Sequence, residues 1–347
     1  MIAQGPPGGA LPPAVRPYEA PSRPVRTWPA ALTLFFGAAL IPETVATFNS
    51  PPLLLLSRPA TYFFISAFYG SVALLVREYL RSRAARWAGF LLLGMAAGAV
   101  NEGIIAGTWY KVQYPGNALI GGIDPAVATG LTVFHALVST ALPIFLAELI
   151  FPDVAGRRWL RPRGVVTCVL LLAAVAALGF APAAHRADKL VVLACVASAV
   201  VIALALPARP ARIAMARPVP ATGRLRLAGA AATVAFYALF GLVPGLIAAG
   251  VPSSARAPWQ LLIVLLMVVF CTEVVSVGRD WTRRPGWDQP QTLAVITGVL
   301  LPVIIASLLL PMALRTLEPL VTLPVLVLLI WLRRRQRHLF RPGPQCD

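Results

Sequence analysis

Apolar runs of about twenty residues recur along this chain, separated by short clusters of charged and turn-forming residues. A run of that length matches a hydrocarbon core about 30 Å thick. It must be helical there, because lipid offers no partner to backbone N–H and C=O groups. The pattern predicts an all-α, polytopic integral membrane bundle of ten transmembrane helices, at 29–49, 59–77, 87–109, 126–150, 165–183, 189–207, 226–250, 258–277, 291–310 and 313–332. The last two are the hardest to separate, since only Pro311 to Pro319 lies between them. The alternation of period two that marks an outer-membrane barrel is absent.

The distribution of charge gives the predicted bundle an orientation. The 347 residues are 58% hydrophobic and 12% charged, too few charges for a water-facing shell on a domain of this size. Twenty-four of the thirty Lys and Arg side chains fall in alternate connections and the two termini, all of which are expected to be cytoplasmic. The opposite side keeps only Arg58, Lys111, Arg186, Lys189, Arg256 and Arg315. The formal charge of +17 therefore points to anionic headgroups at the cytoplasmic face of the bilayer, not to nucleic acid. No basic stretch carries the stacking aromatics of a nucleic-acid module. Trp28, Trp87, Trp109, Trp159, Trp259 and Trp331 fall near predicted helix ends, where interfacial aromatics belong.

Residues 1–28, rich in Pro and Gly and lacking a short apolar core with a cleavage site, read as a disordered cytoplasmic tail. The first four helices (29–164) and the last six (165–332) form two halves, and 333–347 a basic tail. Ten helices allow two transporter-like halves of five, and the Pro- and Arg-rich stretch 208–226, which follows the sixth helix, is the best candidate for a seam. High Arg, Ala and Pro usage with few Lys suggests a GC-rich bacterial genome, and so a cell inner membrane. The four cysteines show no paired spacing, which predicts neither a disulfide nor a cysteine-based metal site.

Ionisable groups inside a membrane are costly and mark candidate sites. The predicted helices one to four contain Glu43, Glu102, His135 and Glu148, whereas helices five to ten contain essentially Glu273 alone. Glu43 and Glu102 lie about two-thirds along outward-running helices and His135 about one-third along an inward-running one, so all three share one depth. Gly94, Gly98, Glu102 and Ala106 form an i, i+4 stripe of small residues that lets a neighbouring helix come close. Thr132, His135 and Ser139 form a polar stripe on the next helix. Pro42 before Glu43 bends its helix, Asn101 neighbours Glu102, and Tyr62 and Ser66 reach the same level.

This set supports binding of a substrate or proton, ligation of a divalent metal such as Zn²⁺ by Glu43, Glu102 and His135, or general-base chemistry on water. It equally supports plain interhelical hydrogen bonding. Arg77, Glu78, Glu148 and Glu273 are expected to pair at the cytoplasmic end, and Lys111 to meet Asp124 or guard an entrance.

The runs Tyr69-Gly70, Leu74-Leu75-Val76-Arg77-Glu78, Asn101-Glu102-Gly103, Phe134-His135-Ala136 and Glu148 resemble a pattern in uncharacterised multi-pass membrane proteins of bacteria and archaea, over about residues 40–165. A second similarity is to the CPBP (CAAX-protease-like) intramembrane proteases. There, a Glu-Glu-x-x-x-Arg motif meets Phe-x-x-x-His. Here Asn101-Glu102-Gly103-Ile104-Ile105-Ala106 and Leu131-Thr132-Val133-Phe134-His135 stand in those places. That resemblance implies an intramembrane metal-dependent hydrolase. The residues themselves favour a permease for a small solute or ion, and a non-catalytic scaffold or assembly subunit is the third expectation.

Overall fold

A computed structural model of the chain describes residues 26–46, 57–82, 87–112, 117–181, 184–206, 218–309 and 319–339. The expected N-terminal tail up to residue 25, residues 208–217 of the seam, the start of the tenth span at 313–318 and residues 340–347 of the basic tail lie outside the described residues.

Ten long helices run through the described residues. Helix α1 spans Trp28–Leu40 and continues as a π-helical segment, Ile41–Ala46. Helix α2 is Pro59–Ser82, and α3 is Trp87–Ala99 followed by π-helical Val100–Ile105. Helix α4 joins Pro125–Phe134, a π-helical stretch His135–Ala141 and Leu142–Ile150. Then come α5 (Pro162–Phe180), α6 (Arg186–Ala205) and α7 (Thr222–Tyr237, π-helical Ala238–Leu242, Val243–Gly250). Helices α8 (Ala257–Thr282), α9 (Gln289–Leu309) and α10 (Pro319–Leu339) complete the set.

The described residues contain no strand, only an isolated bridge between Ile120 and Ile123. Nine of these helices, α1 to α9, are long and apolar enough to cross a membrane. Helix α10 turns strongly basic at Arg333, Arg334 and Arg335, which leaves a shorter apolar stretch ahead of them.

Burial separates an inner from an outer set. In α4, 67% of the apolar stretch is buried inside the protein, against 11% in α5 and in α8. Large side chains on the outer helices, such as Leu170, Leu178, Val191 and Leu265, are exposed, as a lipid-facing surface requires. One apolar core joins α1, α2, α3, α4 and α5. A second joins the end of α1 to α4, α9 and α10.

Close approaches occur where glycine stands. A Cβ on Gly70 would lie 2.2 Å from the Phe35 carbonyl oxygen, and one on Gly298 would lie 2.2 Å from that of Arg226. The α1–α2 and α7–α9 contacts are thus backbone against backbone, the kind of packing that holds helices together without help from water.

One end of the bundle is tied by a buried arginine. Arg77, near the end of α2, is fully buried, and its guanidinium lies 3.5 Å over the Trp159 ring. It pairs with Glu148 at the end of α4 (3.1 Å) and with Glu78 (3.2 Å). It also donates to the carbonyl oxygens of Ala155 (2.7 Å) and Arg157 (3.2 Å). Arg81 donates through Nε to Glu148 at 2.9 Å, and Arg335 of α10 caps the Ile150 carbonyl at 3.0 Å. The ends of α2, α4 and α10 and the connection 151–161 therefore meet at one basic end.

Removing one partner from such a buried cluster leaves charge uncompensated, at a cost of about 3–5 kcal/mol. Arg77→Met is expected to lose about that much in a detergent unfolding titration, while Lys111→Met in the exposed loop stays unchanged. A loss below about 1 kcal/mol would show that the cluster does not tie this end together.

Candidate functional site

Helices α3 and α4 approach where α3 presents glycine. A Cβ on Gly94 would stand 2.8 Å from Ala136 Cα, and one on Gly98 would stand 2.9 Å from His135 Cβ. That approach sets the side chain one turn further along α3, Glu102, against His135. Oε1 of Glu102 lies 2.7 Å from His135 Nε2, and both residues are buried.

The contact is the centre of a longer hydrogen-bonded chain. Asn101 Nδ2 donates to Glu102 Oε1 (2.7 Å) and lies 3.2 Å from the Tyr69 hydroxyl and 3.3 Å from His135 Nε2. The Tyr69 hydroxyl donates to Glu43 Oε1 at 2.8 Å. On the other side of the imidazole, Nδ1 lies 2.9 Å from Ser139 Oγ. The Thr108 hydroxyl donates to Glu102 Oε2. The Tyr69 ring stacks on the imidazole at 5.7 Å between centroids.

Every ring nitrogen and carboxylate oxygen of the His135–Glu102 pair thus has a polar neighbour. With Nε2 donating to Glu102, a neutral imidazole accepts from Ser139 at Nδ1, and an imidazolium donates to the same oxygen. The hydroxyls of Ser139, Thr108 and Tyr69 can each turn from donor to acceptor, so the network accommodates an added proton without moving a helix.

Glu43, the Asn101–Glu102 pair and the His135–Ser139 pair all lie in π-helical segments. Wide turns of this kind leave backbone groups less regularly paired, and they gather at functional sites. Two of the four have a visible cause in proline. His135–Ala141 stops two residues before Pro143, and Ala238–Leu242 stops two before Pro244. Proline has no N–H and its ring crowds the carbonyl four residues back, which the wider turn relieves. In α3 no proline intervenes, and the widened turn is closed by the Ala106 N–H donating to the Asn101 carbonyl at 2.7 Å.

No family model matches the sequence, and no curated protein or solved structure is significantly similar to it. The site is therefore read from its own geometry.

Of the residues singled out in the sequence, Glu102, His135, Asn101 and Ser139 come into direct contact, and Glu43 joins them through Tyr69. Tyr62 does not: its hydroxyl donates to the Phe36 carbonyl at 2.7 Å and its ring stacks on Phe36. Seven residues separate it from Tyr69, about 10 Å along a helix. The expected metal ligands are not drawn onto one point. Among the described residues no three His, Cys, Asp or Glu side chains gather closely enough to hold a metal ion. Glu102 and His135 supply two donors turned toward each other, with Tyr69 standing between them and Glu43.

Tyr69 and Thr108 are the members that the sequence reading missed. Tyr69 sits in an apolar run and Thr108 in the connection beyond α3, so neither is an intramembrane charge. The Tyr69-Gly70 dipeptide is the available signal, because Gly70 draws α2 onto α1 and so brings Tyr69 to Glu43.

Asp124 lies at the same end of the bundle, where it caps α4 by accepting from the Val127 N–H at 3.0 Å and from Asn117 at 2.7 Å. These partners take the place of the expected Lys111, which forms no ion pair with it among the described residues. Burial pushes the Asp124 carboxyl above its usual range, offset in part by the Val127 N–H and Asn117. A folded value above the unfolded one means that the native state favours the protonated form. The Asp124 contribution to stability is therefore largest at low pH and is lost as pH rises from about 4, the ordinary carboxyl value, through the raised folded value. Asp124→Asn keeps a good cap and should flatten the stability profile over that window, as measured by unfolding at stepped pH. An unchanged slope would remove Asp124 as its source.

The network also predicts a spectroscopic signature. In chain labelled with ¹⁵N-histidine, Glu102→Gln should shift the Nε2 resonance of His135 and Ser139→Ala its Nδ1 resonance. If neither moves, the two contacts do not form in the membrane.

Proposed function

We propose that the protein is a multi-pass permease of the cell inner membrane, with ten crossings and both termini in the cytoplasm. Its Glu102–His135 pair binds and releases a proton as a small solute or ion moves through. One observation carries this reading: a buried carboxylate and imidazole share a hydrogen bond, and hydroxyls that can reverse direction surround them. A packing contact needs only neutral polar groups, whereas this arrangement holds a titratable pair buried within the span, where an unpaired charge is costly.

The chain from Glu43 through Tyr69 to Asn101 extends the site across α1, α2 and α3, and π-helical turns lie along it. Interrupted helices around a polar site are the usual setting for ion coupling in transporters. Clustering of the ends of α2, α4 and α10 around Arg77, Arg81 and Arg335 agrees with a cytoplasmic face rich in arginine, opposite the face that the polar site approaches.

A hydrolytic reading has one observation in its favour. Ser139, His135 and Glu102 stand in the order of a nucleophile, base and acid, with the hydroxyl 2.9 Å from Nδ1 and the carboxylate 2.7 Å from Nε2. The similarity to CPBP proteases instead suggests a metal such as Zn²⁺ held by Glu102 and His135, a site that a third donor would have to complete.

Proteoliposomes separate these readings. With a pH-sensitive dye inside, addition of sodium, potassium, an amino acid or a small carboxylate should move protons in the presence of one of them. Glu102→Gln and His135→Ala should abolish that flux, Ser139→Ala should slow it, and Tyr62→Phe should retain it. Absence of flux with every substrate, together with loss of fluorophosphonate labelling in Ser139→Ala or one Zn²⁺ per chain lost in His135→Ala, would replace the permease by a hydrolase. Absence of flux, labelling and metal, with all variants stable, would leave the pair a packing contact.

A further inference from the structure

Away from the His135 site, two adjoining hollows of about 240 and 660 Å³ open among α4, α7, α8 and α9. They share walls, including Phe145, Phe270 and Val299. The larger falls in the range of small-molecule pockets, about 300–1,000 Å³, and the smaller extends it. The inner part is walled by apolar side chains such as Leu137, Phe236, Leu300 and Val303. The outer part is walled by Arg81, Arg283, Trp281, Trp287 and Glu273, and Arg279, one turn before Arg283 at the end of α8, lines the adjoining smaller hollow. From Thr292 at the outer part to Val303 at the inner, α9 advances about 17 Å. That is close to one leaflet of a hydrocarbon core about 30 Å thick.

The cavity therefore grades from apolar to cationic along the length of one acyl chain. Among the described residues that line the two hollows, basic side chains outnumber acidic ones: Arg81, which also holds Glu148, and Arg283 line the larger hollow with Glu273, and Arg279 lines the smaller. Trp281 and Trp287 stand at the same level, where indole rings sit against headgroups. The walls are fixed on one side by the close α7–α9 approach: a Cβ on Gly229 would stand 2.7 Å from the Val295 carbonyl oxygen. The cavity cannot simply close there by collapse of those two helices.

We propose that this cavity holds a membrane phospholipid with an anionic headgroup, its phosphate between Arg279 and Arg283 and one acyl chain running inward past Phe270 and Val299. The arginines supply charge-assisted hydrogen bonds that a zwitterionic or neutral headgroup uses less well. This site lies on the opposite flank of α4 from His135 and does not depend on the permease reading.

Delipidated full-length protein, offered equal amounts of dioleoylphosphatidylglycerol and dioleoylphosphatidylcholine, is examined by native mass spectrometry. Wild type should retain the anionic lipid about tenfold better, the worth of one hydrogen bond to a charged group. Arg279→Gln with Arg283→Gln should bring the two lipids to parity. Val299→Trp, which fills the acyl path, should weaken both. The arginine variants lie at the outer part and fill nothing, so they decide the matter even if the tryptophan variant does not fold. Equal retention by wild type, or unchanged selectivity in the arginine variants, overturns the proposal. So does displacement of the lipid by millimolar glycerol phosphate, which would reveal a free-anion site with no use for the acyl chain.

Discussion

A carboxyl side chain carried into the membrane has to find its partners inside the protein, because lipid supplies none. Glu102 meets that constraint through His135 on a different helix, and much of the surrounding structure follows from bringing the two together. The α3 backbone must lie almost against α4, which only glycine at Gly94 and Gly98 allows. The imidazole, once engaged at Nε2, needs a partner at Nδ1, and Ser139 one turn along α4 stands there. The second carboxylate oxygen needs a donor from beyond the helix end, which Thr108 provides from the connection that follows α3. Each of these requirements ties a further element to the pair, and the inner position of α4 follows from them.

The π-helical turns show how the helices accommodate this. A regular α-helix repeats its faces every 3.6 residues, and an extra residue in one turn rotates everything beyond it. In α4 the wide turn begins at His135 and relaxes before Pro143, so the residues after it face α9 and α10 as part of the second core. The same stretch sends His135 and Ser139 toward α2 and α3, and Leu137 and Val138 toward α7 and α8. One short segment thus serves a polar site on one flank and an apolar cavity on the other. A motion of that segment would be felt by both, which gives a physical route for coupling between them.

The helices themselves were legible because the cost of burying an unpaired backbone in lipid leaves only one solution for an apolar run of this length. Proximity of Glu102 and His135 was legible for a related reason: depth in a membrane is fixed by position in the run, and the Gly94–Gly98 stripe shows which face of α3 meets a neighbour. Lateral arrangement was not. Equal depth places Glu43 near the pair but cannot say that Tyr69 stands between them, since neighbour order around a bundle depends on packing between distant segments. Tyr62 was expected at the same level as Tyr69 now is, yet it turns to the Phe36 carbonyl on the α1 side. The π-helical turns were invisible to a reading that assumed constant periodicity, and Thr108 was invisible because it carries no charge and stands at the far end of the predicted 87–109 run, past the last turn of α3.

The contrast between the two flanks of α4 bears on what the outer helices are for. Helices α7 and α8 bury little of their surface within the protein, and none of their described residues belongs to the core beside Glu102. A scaffold for the polar pair alone would need only the inner helices. Together with α9 of the second core, α7 and α8 enclose an apolar space whose basic end faces the same way as the Arg77–Glu148 cluster. Arg81 touches both, since it holds Glu148 and also lines the cavity. A headgroup at that position would alter the electrostatic surroundings of Glu148, and through Arg77 those of the end that fixes α2, the helix that carries Tyr69 to the polar site. The arrangement joins the lipid-facing half of the bundle to its buried half through side chains in contact.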